Sequence, residues 1–170
     1  MSTLHDAFIA ELGAIYCGET HLVKSMPKLA EAASSPDLKE ALETHHSETQ
    51  DQVKRLEELL RELAISPKRA KCRPIEALIE DANDVAAEEG ADAAILAAAQ
   101  KIEHYEIACY NSLLAWARAL NEEEAIGVLE EILEEEELTN DKLTEIADTS
   151  VIPDALGADE SEEDEEEQTP

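Results

Sequence analysis

Four long stretches of this chain place apolar residues at helical spacing, and the connections between them differ sharply in length. The first runs from about Thr3 to Ala32 and stops at Ser34-Ser35-Pro36; the second runs from about Asp37 to Ala64. The third spans about Ala91 to Leu120, and the fourth about Glu122 to Thr149, ending before Pro153. Only a few residues separate the members of each pair, so each pair folds back as a helical hairpin. Pro36 stands where a helix tolerates it, because the first amides have no intrahelical acceptor, whereas Pro27 falls late in the first stretch and predicts a kink or early fraying. Residues 66–90 separate the two pairs and are long enough to run back along a bundle. Pro74 opens one short helix there, from about Ile75 to Ala87.

Val, Ile and Thr nowhere alternate with polar residues over a useful length, which leaves no strand. Aromatics make up 3% of the chain, with a single Phe8 and a single Trp116, so the core must be built from Leu, Ile, Val and Ala, a composition suited to packed helices. A chain of 170 residues with 44% hydrophobic content supports one substantial core. The expected fold is all-α: a ferritin-like four-helix bundle of two helical hairpins joined by a long crossover containing a short helix. A simple up-down bundle would use short loops throughout. The bundle is expected over residues 1–153. Residues 154–170 are expected to be a disordered acidic tail, since Asp159–Glu167 holds eight acids in nine positions.

The formal net charge is −29 and the isoelectric point about 4.2. Both argue against nucleic acid or an anionic membrane as partner, because each requires basic patches. Residues 154–170 carry nine acids and no base, so −20 remains on residues 1–153. The folded part is itself strongly acidic, as expected of adaptation to high intracellular salt, where self-repulsion is screened. Cys17, Cys72 and Cys109 form no CxxC pair. Reduced cytosolic thiols are the simplest expectation, and their spacing draws no zinc or iron–sulfur knuckle. No basic leader and no run of membrane-spanning length is present, which predicts a soluble cytoplasmic protein.

Projection at about 100° per residue then tests which polar residues point inward. On the third helix Ile95, Leu96, Ala99, Ile102, Tyr110, Leu113, Trp116, Ala117 and Leu120 share one broad arc; Glu106 falls at its centre and Glu103 well inside it, while His104 faces outward. The fourth helix carries many acids, of which Glu136 alone lies among Leu129, Ile132, Leu133, Leu143 and Ile146, with Asn140 on the same face. On the first helix Glu19 lies among Leu4, Phe8, Ile15, Leu22, Met26 and Leu29, with Glu11 at the margin of that face. On the second, His45, Thr49 and Gln52 interrupt the arc of Leu38, Leu42, Val53, Leu56, Leu60 and Leu63, and Glu48 flanks it. Glu19, Glu48, Glu106 and Glu136 each lie roughly 15 residues, or about 22 Å, from their hairpin turns, which puts them near one level. Several carboxylates and an imidazole in an apolar core cannot all stay ionised uncompensated. A pair of metal ions would supply the missing positive charge, as in dimetal carboxylate bundles. The alternative is a metal-free bundle whose inner acids are protonated and hydrogen-bonded to His45, Gln52 and Tyr110.

The segments YCGETHLVKSMPKLA, THHSETQDQVKRLEELL, KRAKCRPIEALIEDAN, QKIEHYEIACY and LEEEELTNDKLTEIAD resemble the YciF-like family of bacterial and archaeal stress-associated proteins, over about residues 4–150. The resemblance implies a ferritin-like bundle, related in architecture to rubrerythrin and usually a homodimer, without implying a settled reaction. It makes Glu19, His45, Glu48, Glu103, Glu106 and Glu136 the candidate metal ligands or near neighbours. Dimetal bundles usually carry Glu-x-x-His on two helices. Here the second helix has the reversed His45-x-x-Glu48, and the fourth offers Thr139 and Asn140 beyond Glu136. A site this poor in imidazole suits iron or manganese.

The function expected is therefore a stress-associated dimetal protein handling peroxide or iron; the alternative is a metal-free dimeric structural or interaction module. The charge supports a separate prediction. Between low salt and molar KCl the melting temperature should rise, and a melting curve that stays level or falls would contradict salt adaptation.

Overall fold

The computed structural model describes residues 3–66, 71–88 and 90–157. Helix α1 (Leu4–Ala32) opens with a capping box: the Thr3 hydroxyl accepts from the Asp6 amide at 3.1 Å, and the Asp6 carboxylate accepts from the Thr3 amide at 2.9 Å. Ser35 caps α2 (Pro36–Glu62) ahead of its proline. The crossover carries α3 (Arg73–Val85), and the second hairpin comprises α4 (Asp92–Leu120) and α5 (Glu123–Ile146). Between them Asn121 takes a left-handed conformation with φ of 59°, which asparagine adopts more readily than most residues.

Two prolines behave differently from the local expectation. α1 runs through Pro27 to Ala32 without fraying. The proline deprives the Val23 carbonyl of its helical donor, but His46 Nε2 on α2 lies 3.0 Å from that oxygen and replaces it. Likewise Pro153 does not end the fourth segment: a π turn, Ala147–Val151, follows α5, and residues 152–157 remain helical. In that wide turn the Ile152 amide bonds the Ala147 carbonyl, five residues back. The pairing has thus already left the i−4 register when the proline arrives. The acidic run Asp159–Glu167 lies outside the described residues.

α1 packs on α2 and α4, α5 packs on α4 and α2, and α3 lies against α1 and α4. Asp92 joins the hairpins, its carboxylate accepting from the Ser34 and Ser35 amides at 2.8 Å each. The crossover has therefore returned the chain to the end of the bundle where α2 begins. This is the ferritin-like arrangement, with no strand among the described residues. None of its helices is long and apolar enough to cross a membrane.

The buried apolar residues fall into two groups. One, including Leu22, Met26, Leu38, Leu42, Ile95, Ile102 and Leu143, fills the end near the α1–α2 turn. The other, including Phe8, Leu12, Leu56, Leu60, Leu113, Leu129 and Ile132, fills the end near the α4–α5 turn. Between them lies a buried polar layer. The crossover docks through a close approach: a Cβ at Gly18 would stand 2.9 Å from Ile75 Cγ2, on a fully buried branched side chain. Gly18→Ala should therefore cost on the order of 1–3 kcal/mol, seen as a lower urea midpoint. An unchanged midpoint would show that α3 is not held by this contact.

Candidate metal centre

Each helix of the bundle contributes to the polar layer: Glu19 from α1, His45, Thr49 and Gln52 from α2, Glu103 and Glu106 from α4, and Glu136 from α5. All are buried. His45, Glu103, Glu106 and Glu136 each offer a ligand atom, and these atoms lie within 4.8 Å of one another. His45 Nε2 faces the cluster, 3.1 Å from Glu103 Oε1 and 3.8 Å from Glu136 Oε2. Its other nitrogen faces outward, with Thr139 Oγ1 at 3.4 Å and Glu48 Oε2 at 3.7 Å.

Hydrogen bonding does not account for this layer. Glu19 Oε1 accepts from the Tyr110 hydroxyl, and Gln52 donates to Glu135, which Arg55 also contacts. Yet Glu19 Oε2, Glu103 Oε2, both oxygens of Glu106 and both of Glu136 have no hydrogen-bond partner. Nor does His45 Nε2, which is close to Glu103 but poorly aligned with it. Buried polar atoms are seldom left this way, and four of the residues that carry them, His45, Glu103, Glu106 and Glu136, bring ligand atoms within 4.8 Å of one another. A cation is the group whose chemistry fits them.

The protonation equilibria follow the same physics. Burial drives the Glu106 and Glu136 carboxyls well above the ordinary range; neighbouring acids add to the effect, and for Glu136 the His45 imidazole opposes it. Burial pushes Glu19 up to about 7, against the lowering effect of the Tyr110 hydroxyl and His45. For His45, burial works against the imidazolium but Glu103, Glu48 and Glu136 outweigh it, so its affinity for a proton rises. Without a metal, protons must supply the compensation.

Of the residues singled out in the sequence, His45, Glu103, Glu106 and Glu136 come together, and Glu19 adjoins them within the same buried layer. Glu48 does not enter the cluster. Its side chain is 43% exposed against 3% for His45, and it meets the outer edge of the imidazole. Asn140 is partly buried, its Oδ1 without a partner. Residues beyond those candidates also matter: Thr139 beside His45, and the Gln52–Glu135–Arg55 contacts that close one flank. The cysteine expectation is corrected. Cys17 and Cys72 form a disulfide, with Cα atoms 5.9 Å apart, leaving Cys109 as the free, buried thiol. The docking of α3 on α1 brings together residues 55 positions apart, which spacing alone does not reveal.

Comparison with known proteins places this layer in a wider setting. Residues 3–156 match the family described as "Domain of unknown function (DUF892)". Protein YciF of Escherichia coli (strain K12) is 42% identical over 156 residues, covering 89% of this chain and 94% of that protein. The crystal structure of the E. coli stress protein YciF matches with a TM-score of 0.82 at 41% identity, covering 86% of this chain and 96% of that one. YcfI of Rhodopseudomonas palustris, provisionally designated a structural protein, matches with a TM-score of 0.79 at 37% identity, covering 84% and 93%.

The raised Glu19 equilibrium has a definite sign. Below its ordinary value of 4.5 the group is protonated folded and unfolded alike, and its contribution is fully present; this is lost as pH rises through about 7, where the folded carboxyl must ionise. In chelator-treated protein the melting temperature should fall across that interval, and Glu19→Gln should flatten the fall. A variant that tracks the wild type throughout would contradict the assignment.

Proposed function

The chain belongs to the DUF892 family, and on that premise we propose that it is a stress-associated ferritin-like protein whose core holds two iron or manganese ions, bridged by carboxylates, and handles peroxide or iron. The observation that carries the reading is the convergence of unpartnered buried donors on one point. His45, Glu103, Glu106 and Glu136 would hold the ions, with Glu19 adjoining. A donor set of one imidazole and several carboxylates is hard, which favours these metals over softer ones. When bound, such a pair would supply compensating positive charge and electron transfer to or from a peroxide.

The other residues have positioning roles. Glu48 and Thr139 engage His45 Nδ1 and so leave Nε2 directed at the cluster, the arrangement by which outer partners orient a metal-binding imidazole. Tyr110 fixes one oxygen of Glu19 and leaves the other free. An open groove of about 530 Å³ between α2 and α5 reaches Glu48 and Thr139, and Asp37, Glu40, Glu135 and Glu145 also line it. Acids around such a mouth raise the local cation concentration, and the groove is the proposed route to the core. Rubrerythrin-like peroxidase turnover would require an external reductant, since the sequence carries no CxxC electron-transfer centre.

A second reading is favoured by the raised equilibria of Glu19, Glu106 and Glu136: protons neutralise the layer, and the protein is a metal-free dimeric structural or interaction module. Elemental analysis of protein purified without chelator separates the two. The metal reading predicts on the order of two equivalents of iron or manganese, lost in Glu106→Ala. Added metal at about 100 times its dissociation constant should stabilise the chelated wild type by about 2.7 kcal/mol. Less than about a tenth of an equivalent, with no loss of stability in Glu106→Ala, would establish the second reading.

A further inference from the structure

We propose a second, redox-gated metal site on the outer face of α1, where Cys17, His21, Cys72 and Glu76 in the dithiol form bind one zinc-like divalent ion. The four residues are two i, i+4 pairs on facing elements: Cys17 and His21 on α1, and Cys72, at the N-cap of α3, with Glu76 one turn later. Residues four apart on a helix share a face. One ligand atom from each of the four lies within 4.8 Å of the others.

The edges of the cluster already have the size of a coordination tetrahedron. Cys72 Sγ lies 3.7 Å from His21 Nδ1 and 3.6 Å from Glu76 Oε1, and His21 Nδ1 lies 3.5 Å from Glu76 Oε1. Zinc with sulfur at about 2.3 Å and nitrogen or oxygen at about 2.0–2.1 Å has ligand–ligand edges of roughly 3.3–3.8 Å. The Cys17–Cys72 edge is shorter, because those sulfurs are bonded to each other, and the two remaining edges, from Cys17 to His21 and to Glu76, lie within 4.8 Å. Cys72 is fully buried, whereas His21 and Glu76 have side chains 38% and 47% exposed, so the position is open to an ion from solvent. Two thiolates, an imidazole and a carboxylate are softer than the core donors and select zinc over manganese.

The disulfide and the metal site exclude each other, because both sulfurs are consumed by the S–S bond. Oxidation by a hydroperoxide balances directly. The two thiolates give up one electron each and form the S–S bond, the O–O bond breaks, and two protons from solvent complete the water and alcohol, or two waters from hydrogen peroxide. The divalent ion is released. The site stands on its own geometry and does not depend on metal in the core.

Cobalt(II) is the probe, because a thiolate ligand gives it an intense near-ultraviolet charge-transfer band and tetrahedral coordination gives strong visible bands. Full-length protein reduced with a phosphine, and then freed of metal and reductant, should develop both features as one equivalent of cobalt fills this site, while cobalt taken by the sulfur-free core adds no charge transfer. Zinc should displace the cobalt, and the disulfide form should show neither band. Hydrogen peroxide should abolish the bands and lower the thiol count of denatured protein from three to one. Glu106→Ala and Cys109→Ser should leave the charge-transfer band in place, since the core cluster holds no sulfur; Cys17→Ser or Cys72→Ser alone should roughly halve it and the double variant should remove it, and His21→Ala should weaken cobalt binding at least tenfold. Reduced wild type without a charge-transfer band would overturn the proposal before any variant is made, as would a band that persists in the Cys17→Ser, Cys72→Ser double variant.

Discussion

A layer of buried carboxylates divides the core of this bundle, and the need to neutralise it constrains everything around it. The apolar clusters on either side are ordinary helical packing, but neither can close over Glu103, Glu106 and Glu136 without some positive partner for them. The one cationic candidate inside is His45, a single imidazole facing several acids. Arg55 comes near but is spent on Glu131 and Glu135 at the flank. A core assembled for stability alone would hold apolar residues of similar volume at these positions. Retaining the acids is intelligible if the layer binds something.

Much of this layer was legible because the chain is made of long helices with few interruptions. At 100° per residue, Glu106 and Glu136 fall so centrally among Leu and Ile neighbours that no plausible error in helix phase moves them outside. Glu48 illustrates the limit. It flanks the arc, three residues from His45, and a projection cannot decide whether a long side chain at such an edge turns inward; here it turns toward the groove. Pro27 and Pro153 illustrate another. Local rules predict disruption at both, and each is accommodated by something beyond local sequence: a histidine from the neighbouring helix at the first, a change of helical register at the second. The cysteine pair was least visible, because its partners meet only once α3 has settled on Gly18.

The register of α1 links the two clusters. Glu19 lies between Cys17 and His21, and two residues along a helix amount to about 200° of rotation. One helix therefore presents a carboxylate to the core and a thiol and imidazole to the crossover. The inner donors are hard and enclosed by four helices; the outer donors are softer, and His21 and Glu76 among them are partly exposed. With α3 lying over one and the bundle closing around the other, the two faces of α1 provide different chemistries on opposite sides of one helix.

Surface charge bears on both. The many acids outside the core take no part in either cluster, yet their summed potential raises the local concentration of every cation, protons and metal ions alike. It also increases the cost of ionising Glu106 and Glu136 within the layer, an effect that weakens as salt screens it. The same acidity thus favours neutralisation of the core by either species, and the choice between them falls to the donors themselves. Protons compensate one oxygen at a time. A cation held by His45 Nε2 and the converging carboxylates compensates several at once, which is the arrangement that the positions of the unpartnered atoms best fit.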